Sequence, residues 1–247
     1  MFLELKDLRK WFGGVRAVDG ASIVVKKGEV TSVIGPNGAG KTTLFNLITG
    51  FYKPDSGRVI FLDQDITGKP IRSITRMGIS RSFQIVNVFP KLTVEENIMV
   101  AVLAQQHKSF NFSPYTKKMV KEECFRLLES LKLADSPDVL AGQLSHGAQK
   151  RLEVAIALAA QPKVLLLDEP TAGMANEEKF SVMDTIREAA KKQDITIFLC
   201  AHDMSIIFSI SDVIWVMHNG KTITHGSVEE IRNNEEVHKI YLGERRR

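Results

Sequence analysis

The string Gly35-Pro36-Asn37-Gly38-Ala39-Gly40-Lys41-Thr42 constrains this chain more than any other feature. It satisfies the pattern G-x-x-x-x-G-K-S/T in full. It also lies between a short apolar run, Val30–Ile34, and a segment with Leu44, Leu47 and Ile48 at helical spacing. Glycines let the backbone adopt positive φ and approach a phosphate with no Cβ in the way. Successive N–H groups then line a concave anion site at a helix N-terminus, where the dipole favours negative charge. In this pattern Lys41 reaches the outer phosphates of a nucleotide and the Thr42 hydroxyl ligates Mg2+. The candidate phosphate-binding set is therefore Asn37, Gly38, Ala39, Gly40, Lys41, Thr42 and Thr43.

Two further sites are expected on the same sheet edge. Val164-Leu165-Leu166-Leu167-Asp168-Glu169-Pro170 is an apolar strand ending in two carboxylates. An unbroken apolar run implies a strand covered on both faces, as in parallel sheets. Ligands of such sheets bind beyond the carboxyl ends of the strands. Asp168 is the expected metal partner, and Glu169 is placed to orient or deprotonate a water. Thr196–Cys200 reads as another strand and is followed by Ala201-His202-Asp203. There His202 is positioned to stabilise a phosphate or hold an attacking water.

The rest of the chain reads as an α/β core with a mostly helical insertion, its parallel strands joined by helices. Alternation predicts strands over Phe2–Lys6 and Ala21–Lys26, and Arg58–Leu62 follows the turn Pro54-Asp55-Ser56-Gly57. Helical patterns cover Lys41–Thr49, Val94–Ala104, Thr116–Leu133, Ala148–Ala160 and Glu177–Lys192, with a loop over His107–Tyr115. A final strand is expected at Val213–Met217.

Composition excludes several classes. Over 247 residues, 44% are hydrophobic and 25% charged, so the chain is neither disordered nor collagen-like. Two cysteines, Cys124 and Cys200, fit a reducing compartment and make no paired metal-ligand spacing. No apolar run reaches the ~18–20 residues of a membrane span, and MFLELKDLRK lacks the apolar stretch of a signal peptide. The formal charge of +4 owes much to Arg245-Arg246-Arg247, which reads as a solvated end, so no nucleic-acid partner is expected.

These sites, with Leu144-Ser145-His146-Gly147-Ala148 ahead of the second, resemble the ATP-binding subunits of ABC transporters from about Leu3 to Gly243. The resemblance implies an α/β fold: a P-loop NTPase core with a mixed sheet, an N-terminal antiparallel β subdomain and an inserted helical subdomain. Residues 1–93 and 161–247 would form the core and 94–160 the helical arm. It implies ATP and Mg2+ as cofactors. Phe12 looks like the aromatic that stacks on adenine, with Val18 packing beside it and Trp11 as the alternative. Gln84 resembles the glutamine that touches Mg2+ and the lytic water where the cassette meets its membrane partner. Glu169 matches the catalytic base and His202 the switch histidine. The implied metal set is Thr42, Gln84 and Asp168.

Here the signature L-S-G-G-Q is altered. Ser145 and Gly147 are kept, Ala148 replaces glutamine, and His146 either adds a donor or crowds the phosphate. Ala175 stands where many relatives have aspartate. The segment GISRSFQIVNVFPKLTVEEN (Gly78–Asn97) and the ending Gly226–Gly243 are similar to the longer ATP-binding subunit of branched-chain amino-acid importers and its urea-importer cousins. The resemblance implies a second cassette, permease subunits and, indirectly, a solute-binding protein as partners, at the cytoplasmic face of the inner membrane. The alternatives are a lipid or lipopolysaccharide-export ATPase and a soluble repair or translation ATPase. A GTPase is disfavoured by the lack of an N-K-x-D pattern.

Overall fold

The computed structural model describes residues 2–82, 88–105 and 114–244, with backbone alone at 114–117 and 241–244. Two sheets organise it. Leu3–Phe12 (β1) and Val15–Val25 (β2) form a hairpin turned by Gly13-Gly14, so that Phe12 lies at its tip opposite Val15. Ser56–Phe61 (β4) pairs antiparallel with β1, and Gln64–Asp65 (β5) edges the sheet in the order β2-β1-β4-β5. The hairpin strands run well beyond the expected Phe2–Lys6 and Ala21–Lys26. Register shifts after Leu5 and a left-handed Asp7 (φ 44°) break the alternation that a sequence reading depends on.

The second sheet holds Val30–Ile34 (β3), Ile79–Ser82 (β6), Val164–Asp168 (β7), Thr196–Cys200 (β8), Val213–His218 (β9) and Lys221–Gly226 (β10). Its order is β10-β9-β3-β8-β7-β6. Five strands are parallel, while β10 turns back antiparallel on β9, so the sheet is mixed where the core strands alone predict a parallel one. The turn is Asn219-Gly220, both at positive φ, the pairing a tight hairpin prefers.

The helices are Lys41–Ile48 (α1), Ile71–Met77 (α2), Val94–Gln105 (α3), Pro114–Ser130 (α4), His146–Ala159 (α5), Asn176–Lys192 (α6), Met204–Ile210 (α7), Val228–Arg232 (α8) and Glu235–Glu244 (α9). α4 starts at Pro114, inside the expected loop, because proline suits the first helical position. The rest of that loop lies outside the described residues. α3, α4 and α5 pack on one another. Asn97 on α3 fastens the segment before it, accepting from the Phe89 N–H at 2.8 Å and donating to the Thr93 carbonyl at 2.8 Å.

Alternation along the central strands divides the core in two. Val164 and Leu166 of β7 face Phe198 and Cys200 of β8 and, from α1, Leu44, Phe45 and Leu47. Leu165 and Leu167 face the other way, into a cluster with Ile197, Leu199, Leu152 and Leu158 of α5, and Val182 of α6. Each such side chain, fully buried, contributes roughly 1.5–3 kcal/mol. The unbroken apolar run of β7 is thus explained by cover on both faces. It also follows that α1 and α5 lie on opposite faces of this sheet.

Candidate functional site

The loop from Gly35 to Gly40 leaves β3 and delivers the chain into α1. Gly40 has φ 98° and packs so closely on the Ala17 carbonyl, with Val18 beside it, that a Cβ would collide. Val18 is fully buried and lies on this side of the hairpin, against the loop. Gly38 also has positive φ (79°), but its outer side is open space, the face on which a phosphate would rest. The loop is held from behind, with the Gly220 N–H donating to the Ala39 carbonyl at 3.1 Å. α1 begins with no side-chain cap and no acidic residue in its first turn, so its N-terminus keeps its attraction for an anion. Asn37, Gly38 and Thr42 are exposed and Thr43 is half-buried. Lys41 folds back along the loop, its Nζ donating to the Gly35 and Pro36 carbonyls at 2.6 and 3.0 Å.

At the end of β7, Asp168 is 1% exposed. Its Oδ2 pairs with Arg81 Nη2 at 2.6 Å and its Oδ1 accepts from the Cys200 thiol at 2.8 Å. Burial, and the neighbouring Asp168 charge after it, raise the Cys200 thiol well above its ordinary value, so it acts there as a donor. Glu169 takes a left-handed conformation (φ 47°), its N–H donating to the Cys200 carbonyl at 2.8 Å. That turn points its carboxylate back along the sheet edge to His202 Nε2, 2.6 Å away. The carboxyl ends of β3, β7 and β8 therefore gather the loop lysine, both carboxylates and the histidine, as the sequence anticipates. Asp203 caps α7, and its carboxyl is held below the usual range by Ser205, then Lys179.

Phe12 is 42% exposed and meets Tyr52 edge-on at 5.1 Å, while Trp11 lies beneath the Arg16 guanidinium. Ser145 caps α5, accepting from the Ala148 N–H at 3.3 Å and donating to Glu178 Oε1 at 3.3 Å. His146 turns away from the helix end, its Nε2 lying 3.1 Å from the Ala172 carbonyl just after the Glu169 turn. Gly147 is buried against the Glu178 side chain. Since α5 and α1 flank opposite sheet faces, Ser145 and the glycine loop are not brought together within one chain. Gln84 lies outside the described residues.

Arg81 is the site residue that motif reading misses. It lies on β6, a strand too polar to announce itself, and only the register Arg81↔Leu166 brings it to Asp168.

Comparison with known proteins agrees with this geometry. A family described as "ABC transporter" matches residues 18–172, and one described as "Branched-chain amino acid ATP-binding cassette transporter" matches residues 221–246. The high-affinity branched-chain amino acid transport ATP-binding protein LivG of Escherichia coli (strain K12) is 40% identical over 250 residues, covering 98% of each chain. The crystal structure of the ADP conformation of MJ1267, an ATP-binding cassette of an ABC transporter, superposes with a TM-score of 0.87 at 36% identity over 98% of each chain. The dimeric structure of MJ0796, a bacterial ABC transporter cassette, matches with a TM-score of 0.76 at 25% identity over 92% of this chain and 99% of that one. From the phosphate loop to the C-terminal helices, the chain belongs to the ABC transporter family, as an ATP-binding subunit whose ATPase activity is coupled to transport.

Proposed function

We propose that the chain is the ATP-hydrolysing subunit of an importer for branched-chain or related amino acids, working at the cytoplasmic face of the membrane with permease subunits and a solute-binding protein. The solute class rests on the relatives' names and on the match at residues 221–246. Among the described residues no helix is long and apolar enough to cross a membrane, so the transport path belongs to partners.

The single observation that carries the mechanism is the convergence of Lys41, Asp168, Glu169 and His202 at the ends of adjacent strands. Asn37 to Thr43 cradle the phosphates, and Phe12 stacks on the base with Val18 behind. Oxygen donors such as the Thr42 hydroxyl and the Asp168 carboxylate, joined by Gln84, suit Mg2+. Among the described residues no group of three or more His, Cys, Asp or Glu side chains could hold an ion alone. The remaining ligands are therefore nucleotide oxygens and water, and the metal supplies charge neutralisation of the phosphates when bound. Glu169 takes the proton of the attacking water, and His202, whose Nε2 lies 2.6 Å from its carboxylate, orients that carboxylate and the γ-phosphate.

With α1 and α5 on opposite faces, a second cassette has to present its Ser145, His146 and Gly147 to the first cassette's nucleotide. This is a head-to-tail dimer, with a copy or a related cassette. Residues 94–160 act as the arm that carries this signature. A groove of about 1030 Å3 between α2 and α3, lined by Arg72, Arg76, Ala101, Gln105, Ile156 and Lys163, is where the permease docks. The test is reconstitution with the permeases and binding protein in vesicles. ATP-dependent uptake of leucine that is competed by isoleucine and valine supports the reading. Uptake of urea alone, or ATPase stimulation by lipopolysaccharide and not by permeases, contradicts it.

A further inference from the structure

The register of three strands brings one cation onto the metal carboxylate. Arg81 pairs with Leu166, and two residues on, Asp168 pairs with Cys200. Side chains alternate along strands, so Arg81, Leu166, Asp168 and Cys200 share the sheet face that α1 covers. There the Arg81 guanidinium forks. Nη2 donates to Asp168 Oδ2 at 2.6 Å, and Nη1 donates to Asn46 Oδ1 on α1, also at 2.6 Å, with the group 5.8 Å above the Phe45 ring. The pair is dry, with side chains 7% and 1% exposed. A carboxylate so buried needs a counter-charge, and a guanidinium fixed by two bonds is pre-organised to supply it.

We propose that Arg81 is a positioning residue for Asp168, a resident counter-cation that aims the carboxylate and competes with the arriving divalent ion for its charge. This rests on the reading of Asp168 as a metal partner. Arg81 stands three positions before Gln84 and also lines a pocket of about 240 Å3 beneath Ile71 and Ile156. Any weakening of the Asp168 pair by a bound metal therefore reaches the strand that leads into the Gln84 segment. Asn46 makes the device respond to the nucleotide as well, since it belongs to the helix that starts at the phosphate loop.

The role separates metal affinity from turnover. Mn2+ binding in the presence of ADP, followed by electron paramagnetic resonance on the purified full chain, reads the first. Arg81→Gln removes the competing charge, so Mn2+ binds about tenfold tighter while ATP turnover falls, because the carboxylate is no longer aimed. Arg81→Lys keeps the charge but cannot bridge Asn46 and Asp168. Its Mn2+ affinity stays within about twofold of wild type while turnover drops by about tenfold or more. Should Arg81→Gln fail to fold, the lysine variant alone decides the matter. Unchanged or weaker Mn2+ affinity in folded Arg81→Gln, or loss of affinity and turnover in equal measure in Arg81→Lys, overturns the proposal. Asp168→Asn keeps the two failures apart. Mn2+ affinity that it leaves untouched overturns the metal reading itself. Affinity that it weakens, beside an unaffected Arg81→Gln, overturns the role of Arg81 alone.

Discussion

His202 Nε2 and Glu169 Oε1 lie 2.6 Å apart across the ends of two neighbouring strands, β8 and β7. The contact exists because Glu169 adopts φ 47°, a conformation costly for a non-glycine residue, held by its N–H bond to Cys200. Two groups in direct contact act as a unit, and their deletions do not add. Glu169→Gln is expected to lower ATP turnover by about 10²–10⁴-fold while leaving nucleotide affinity intact. In His202→Ala, turnover falls too, and the double variant loses little beyond Glu169→Gln alone. Steady-state phosphate release with parallel nucleotide-binding measurements checks this. Full additivity would mean that the two side chains act independently.

Lys41 spans the loop by bonding two carbonyls, so its removal affects both the anion and the cradle's shape. Lys41→Ala should weaken ATP binding by about tenfold or more and abolish hydrolysis, the loss of a charge-assisted phosphate contact. Fluorescent nucleotide titration reads the first effect. Wild-type affinity in the variant would displace Lys41 from the phosphates.

The legibility of the site in the sequence is uneven. The phosphate loop, β7 and β8 could be read because their chemistry is local: glycines where φ turns positive, and apolar runs where a strand is covered on both faces. β6 could not, since Ile79-Ser80-Arg81-Ser82 has neither apolar alternation nor turn signals, and its strand form comes from pairing with β7. β10 is an edge strand whose exposed alternate residues carry no core signal. The bonds of Arg81 to Asp168 and of Ser145 to Glu178 join residues far apart in sequence, and only the folded register creates them. The contact of His146 with the Ala172 carbonyl is likewise one that only the fold creates.

Lys150 and Glu153 form a buried pair on α5, 2.8 Å apart, with side chains 2% and 5% exposed. Removing one partner takes an opposite charge 2.8 Å away from the other in a buried setting. Lys150→Met should therefore destabilise the chain by about 3–5 kcal/mol in urea unfolding, and Lys150→Met with Glu153→Leu should recover much of that loss. A single variant within about 1 kcal/mol of wild type would contradict this assignment.

Cys124 on α4 is fully buried, and desolvation, with Glu95 next, pushes its thiol up to about 11. Between the unfolded thiol value and that figure, the unfolded chain loses a proton that the folded chain keeps. Stability contributed by this group is thus complete below about pH 8.5, declines as pH rises, and levels off near pH 11. Cys124→Ala should flatten this part of the alkaline stability profile in denaturant titrations. An unchanged slope would assign the alkaline loss to other groups.

In the proposed mechanism, nucleotide is held between the glycine loop of one cassette and Ser145 of another. Sedimentation of the Glu169→Gln chain, alone and mixed with a related cassette, measures this directly. The predicted result is a dimer that appears with Mg-ATP, is absent with ADP, and is lost when Ser145→Arg blocks the signature face. A sample that stays monomeric in every pairing, or a dimer indifferent to Ser145, would contradict it.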